Sequence, residues 1–280
     1  MVRTSAPGNV FLFGEHAVVY EHPAIIAATS MRTHVRLSAR SDDVVSVTSV
    51  GFGAFEATIT DLCALQFSSA ADYHCSLDLL RDLIKTFLTR FAPASGFTAT
   101  VSSDIPRESG GMSSSTAVLC AMLAALNAHY DTGIAPEDHF EWVYPLQVKV
   151  HGGKASGAEI MSSSVGGYNR VRLDKSAGTA RLETAHLQGD HPLHLVIGNT
   201  RVEAATKATV PYVMAGWEKC PEAYDAVFSR IAQLVDDGQS ALEHAQAQRV
   251  GALMDANHEL LARELGVSHP KLNRLVDAAR

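Results

Sequence analysis

The spacing of apolar and polar residues divides the chain into a strand-rich beginning and a helical end. Val2–Tyr20 predicts short strands around a Pro7-Gly8 turn, followed by strands over Ala24–Ala28, His34–Ala39 and Val44–Val50, with polar alternation around Arg32, Arg36 and Arg40. Leu80, Leu83, Ile84, Phe87, Leu88 and Phe91 recur at helical spacing, so Leu77–Phe91 predicts an amphipathic helix. Phe97–Ser102 predicts a strand. Thr116–Leu126 is almost wholly Ala, Val, Leu, Met and Cys, too long for a buried strand and apolar on nearly every side. That composition predicts a central, covered helix.

Pro136-Glu137-Asp138 is a suitable first turn for a helix over Phe140–Val150. His151–Gly167 is rich in Gly and Ser and predicts a long loop, either functional or a plain surface connection. Strands are expected at Tyr168–Leu173 and Leu193–Gly198. Helices are expected beyond Thr206-Lys207, at Glu218–Val235, Ala245–Leu265 and His269–Arg280. Strands that precede the first long helix point to an α+β fold rather than βαβ repeats. The pattern breaks over Leu173–Pro192, which suggests a first lobe over 1–173 and a helical second lobe over 174–280.

Composition narrows the function. With 280 residues, 46% of them hydrophobic and 19% charged, a sizeable core can be buried. The net charge of −7 speaks against a nucleic-acid or anionic-membrane surface and leaves a small anionic ligand open. The four cysteines are scattered without C-x-x-C spacing, so neither zinc nor a disulfide framework is expected. The sequence has no apolar stretch of about 20 residues and no signal-peptide pattern, which makes a cytoplasmic enzyme the expectation.

Two stretches carry candidate chemistry. In Ser103–Tyr130, Gly110-Gly111 leads through Ser113, Ser114 and Ser115 into the apolar helix. A helix N-terminus presents unpaired N–H groups and about half a positive charge, so this one can bind an anion, and a serine hydroxyl can ligate a hard metal. Ordinary serine capping is the other reading. Glu15 and His16 follow a glycine between two apolar runs, either as a structural hydrogen-bonded pair or as functional groups.

Four segments together, APGNVFLFGEHAVVY (Ala6–Tyr20), SDIPRESGGMSSSTAV (Ser103–Val118), the HGGKASGAE loop and LMDANHELLARELGVSHPKLNRLV (Leu253–Val276), resemble the GHMP small-molecule kinases, with FGEHAVVY closest in character to their mevalonate kinase branch. The resemblance implies a two-lobed α+β fold with the active site in the cleft between lobes, and ATP and Mg²⁺ as cofactors. It implies phosphoryl transfer to the primary hydroxyl of mevalonate or a similar small hydroxy acid, a step of isoprenoid precursor synthesis. Gly110, Gly111, Ser113, Ser114 and Ser115 would hold the ATP phosphates, with Ser114 and Gln147 at the metal. Glu15, His16, Thr206 and Lys207 would face the acceptor, and Glu159 and Asn9 would stand at the catalytic positions. The partner implied is the small-molecule substrate, with room for a homodimer.

The chain departs from the family at the chemistry. Asn9 stands where the family has Lys, Met112 where it has a phosphate-loop Gly, and Gln147 where it has a metal-ligating Glu. Its catalytic Asp aligns with Glu159 when counted from Ser156-Gly157, the preferred alignment, or with Ala158 when counted from His151-Gly152. The family's third Gly-rich motif would follow LNRLVDAAR, where the sequence ends at Arg280. These departures keep a second class open, a degenerate pseudokinase that binds or regulates. An ATP-dependent decarboxylase acting on a mevalonate phosphate is a third reading.

Overall fold

The computed structural model describes residues 1–106, 111–150, 155–176, 180–187, 193–201 and 206–280. In chain order the strands are β1 (Val2–Phe13), β2 (Ala24–Ala39), β3 (Val44–Ser49), β4 (Gly53–Thr58), β5 (Phe97–Ser103), β6 (Tyr168–Asp174) and β7 (Arg181–His186). The helices are α1 (Ile59–Ala64), α2 (Asp78–Phe91), α3 (Ser114–Tyr130), α4 (His139–Val150), α5 (Ala158–Val165), α6 (Thr206–Lys219), α7 (Pro221–Glu243), α8 (Ala247–Glu259) and α9 (Pro270–Ala279).

Two compact units divide the chain, and neither is continuous in sequence. The first gathers Met1–Asn9, Ala28–Pro106 and Ser113–Gly166; the second gathers Val10–Ala27, a segment ending at Met112, and Gly167–Arg280. In the first unit β3 pairs antiparallel with β4 and parallel with β5, and β5 pairs antiparallel with the later half of β2, Val35 opposite Val101. Helix α3 packs against α2, α4 and α5. Its Ala117, Leu119, Cys120, Leu123 and Leu126 are fully buried, as an all-round apolar helix must be. Helix α2 buries Leu80, Leu83, Ile84, Phe87 and Leu88, the predicted stripe, and Phe91 stacks on Trp142 of α4.

In the second unit the first residues of β2 pair with β6, Ala24 opposite Val171, and β6 pairs with β7. Leu12, Phe13, Ile25, Val235, Val250 and Leu253 form one core cluster. Ala17, Val213, Phe228, Ile231, Leu260 and Leu265 form a second. Helix α8 runs directly into a π-helical turn, Leu260–Glu264, closed by Leu265 N–H donating to the Leu260 carbonyl at 3.0 Å.

The structure corrects several local expectations. Pro7-Gly8 makes no turn: β1 runs unbroken through it. The two strands expected over residues 24–39 are one. The Gly/Ser loop hides α5, whose Ile160 and Met161 are buried. Leu193–Gly198 is not a strand, and β4 and β7 were not anticipated. No described helix is long and apolar enough to cross a membrane.

Candidate active-site carboxylates

In the first unit the polar residues gather around Glu159. Gly157 adopts a left-handed conformation (φ 64°) as the N-cap of α5, and a Cβ there would lie 2.6 Å from the Phe140 ring. Only glycine turns the chain so tightly against α4. Glu159 follows in the first helical turn, where the N-terminal dipole favours a carboxylate. Gln147, in the last turn of α4, donates from Nε2 to Glu159 Oε1 (3.0 Å) and to Thr116 Oγ1 (2.9 Å). Asn9 donates from Nδ2 to the Glu159 backbone carbonyl (3.1 Å) and to Ser163 Oγ (2.9 Å), and Ser163 in turn donates to the Pro7 carbonyl.

Burial pushes the Glu159 carboxyl above the usual carboxylate range, opposed in part by the Gln147 hydrogen bond. Both amides leave a buried oxygen without a partner among the described residues: Asn9 Oδ1 and Gln147 Oε1. The cluster therefore holds one ionisable acid, two fixed amides and two free acceptors.

The second unit contains a matching arrangement around Glu15. A Cβ on Gly14 would come within 2.5 Å of Ala24 Cα, so the chain passes β2 at a distance only glycine permits. His16 then takes φ 62°, ψ −49°, and Ala17 N–H donates to the Glu15 carbonyl at 2.8 Å. This is a γ-turn with positive φ on a non-glycine residue, a strained conformation that persists where the surrounding structure imposes it. Asn257 of α8 donates from Nδ2 to Glu15 Oε2 at 2.8 Å. Burial raises the Glu15 pKa, while the Asn257 hydrogen bond and the nearby His258 lower it; burial also depresses that of His16. Asn257 Oδ1 is buried and unpaired among the described residues.

The third element is the start of α3. Ser113 is left-handed (φ 51°), its own side chain makes no capping bond, and the first helical bond is Ala117 N–H to the Ser113 carbonyl at 3.0 Å. Serine capping is thus not what the structure shows. The amides of Ser114, Ser115 and Thr116 are the first-turn donors that the helix itself leaves without an acceptor. Ser114 and Ser115 are exposed, Gly111 has open space where a Cβ would project, and the Met112 side chain is buried.

Residues 77–167 match the family described as GHMP kinases N terminal domain. Mevalonate kinase of Thermococcus sibiricus is 28% identical over 287 residues, covering all of this chain and 82% of that protein. Among solved structures, the Methanococcus jannaschii mevalonate kinase superposes with a TM-score of 0.75 at 21% identity, over 99% of this chain and 83% of the other. L. major mevalonate kinase in complex with R-mevalonate gives 0.74 at 22% identity, over 99% and 79%. The fold is that of the GHMP kinases.

On this GHMP-kinase fold, Asn9, Gln147 and Glu159 meet in the first unit, and Glu15 and His16 share one turn in the second. Gly110 and the His151-Gly152 pair lie outside the described residues. Thr206 and Lys207 open α6, where the backbone alone is described. Thr116, Ser163 and Asn257 were not expected among the site residues. Thr116 directly follows the three serines, and Ser163 lies one helical turn beyond Glu159, so helical spacing could have found both once α5 was recognised. Asn257 sits within the NHELL stretch that carried the family resemblance, yet no local signal ties it to Glu15.

Proposed function

We propose that the chain is an ATP-dependent phosphotransferase that phosphorylates the primary hydroxyl of mevalonate or a closely similar hydroxy acid. The observation that carries this reading is Glu159: an acid held by Gln147, with its backbone carbonyl bonded by Asn9, in a fold shared over nearly the whole chain with mevalonate kinases. A carboxyl whose pKa is raised by burial is matched to taking a proton from an alcohol near neutral pH. Gln147 orients it, and Asn9 together with Ser163 pins the helix turn from which it projects.

The α3 N-terminus fits the polyphosphate of ATP, since its first-turn amides and exposed Ser114 and Ser115 present donors to an anion. Magnesium suits oxygen donors and keeps much of its own water and phosphate ligation. The free Gln147 Oε1 is such a donor, and Ser114 supplies a hydroxyl. Gln147 and Ser114 would hold the ion, which when bound neutralises charge on the transferred phosphoryl group. Glu15 and His16 would meet the acceptor, with Lys207 supplying positive charge for its carboxylate. A cytoplasmic setting and a role in isoprenoid precursor supply follow from this reading.

The test is incubation with Mg·ATP and mevalonate, followed by ³¹P NMR. The expected product is one new phosphomonoester formed in step with ADP. ATP left intact over hours at substrate-level enzyme would overturn the reading.

A further inference from the structure

Asn257 is 2% exposed, and its two side-chain ends have different fates. Nδ2 donates to Glu15 at 2.8 Å, while Oδ1 has no partner among the described residues. Leaving a buried acceptor unpaired is costly, and a fold retains such a group where something else supplies the donor. Two further features mark the same place. His16, next to Glu15, is held in the strained γ-turn, and three residues beyond Asn257 the helix changes to a π turn, a distortion that often accompanies functional sites.

The chemistry of this pair selects its ligand. Glu15 and Asn257 Oδ1 both offer acceptors, so together they suit a hydrogen-bond donor and repel a carboxylate. A hydroxy acid has one end of each kind. Resting on the kinase reading above, we propose that Asn257 positions Glu15 through its N–H and accepts, at its own carbonyl oxygen, a hydrogen bond from the tertiary hydroxyl of the acceptor. The anionic end of the acceptor then lies away from this pair. Among the described residues, His258, on the same helix, acts on Glu15 electrostatically, and His16 is its ionisable neighbour in the chain.

The experiment compares wild type, Asn257→Leu and Asn257→Asp as full chains, with folding checked by circular dichroism. Calorimetry measures binding of mevalonate and of its analogue lacking the tertiary hydroxyl. Wild type is expected to prefer mevalonate by about tenfold or more, the worth of one hydrogen bond near 1.4 kcal/mol. In Asn257→Leu that preference collapses while Mg·ATP affinity stays within about twofold of wild type. Undiminished preference in Asn257→Leu overturns the recognition role.

A ligand-free arm uses ¹³C NMR of the glutamate carboxyls. Glu15 should titrate at higher pH in Asn257→Leu, and higher again in Asn257→Asp, where a second carboxyl faces it, with Glu159 unmoved as the internal reference. An unmoved Glu15 overturns the positioning role whether or not the protein turns over. Wild type that binds no mevalonate, with Glu15 shifting as expected, would overturn the acceptor assignment and leave the positioning role supported.

Discussion

The surroundings of Glu159 and Glu15 use one device in two backbone settings. In each, a buried carboxamide donates to a partly enclosed carboxylate, at 3.0 Å from Gln147 and 2.8 Å from Asn257, and keeps a free buried carbonyl oxygen. In each, burial raises the acid's pKa and the amide restrains it. The backbones differ. Glu159 follows a left-handed glycine and belongs to a regular helix, whereas Glu15 precedes a histidine forced to positive φ. A glycine adopts such a turn without strain; a histidine does so at a cost of about 1–3 kcal/mol. Strain is therefore concentrated where a side chain sits on the turn itself, at His16, whereas Gly157 takes its left-handed turn without it.

Among the residues that surround the two acids, the largest effect is expected at Gln147. Gln147→Glu sets a second carboxyl against Glu159, so the acidic limb of the pH–rate profile should move up and activity at neutral pH fall about tenfold or more. Asn9→Lys brings a cation to the same cluster and should move that limb down. The double variant should return toward wild type, a coupling that double-mutant kinetics would measure. Identical profiles in all four proteins would separate Glu159 from the rate.

A smaller effect is expected at His16. His16→Gly relieves the γ-turn, so the fold should gain about 1 kcal/mol in urea unfolding while acceptor affinity falls. A loss of stability would show that the His16 side chain holds the turn rather than suffering it. The smallest effect concerns pH. Glu15 and Glu159 both have folded pKa values raised above the unfolded one, so their contribution to stability is present below the unfolded pKa of about 4.5 and is lost as pH rises through the folded values. Glu159→Gln and Glu15→Gln should therefore raise the unfolding midpoint at pH 8, relative to wild type, more than at pH 4.5. A gap of the same size at both values would show that burial does not govern these acids.

The α2 stripe was legible in advance because a buried face imposes periodicity, α3 because its apolar run is too long for a strand, and the α+β class because strands precede the first long helix. Helix α5 was hidden because Ser162, Ser163 and Ser164 read as loop residues; in place, Ser163 and Ser164 turn their hydroxyls to protein acceptors, including the Pro7 and Ile160 carbonyls. Leu193–Gly198 had the composition of a strand, yet Val196 is fully exposed and no ladder forms there. The Glu159 cluster was partly legible, since Asn9, Gln147 and Glu159 fall at positions the family resemblance marked. The Glu15–Asn257 bond joins residues 242 apart, a pairing that only the folded chain creates.

The proposed phosphotransfer divides labour between two carboxylates, Glu159 for chemistry and Glu15 for the acceptor. Steady-state kinetics of Glu159→Gln and Glu15→Gln, with mevalonate varied at saturating Mg·ATP, tests that division most directly. Glu159→Gln should lower kcat by about 10²-fold or more with acceptor KM little changed, as loss of a general base does. Glu15→Gln should raise acceptor KM by about tenfold with most of kcat retained. Equal, background-level ADP release from wild type and both variants would contradict the account.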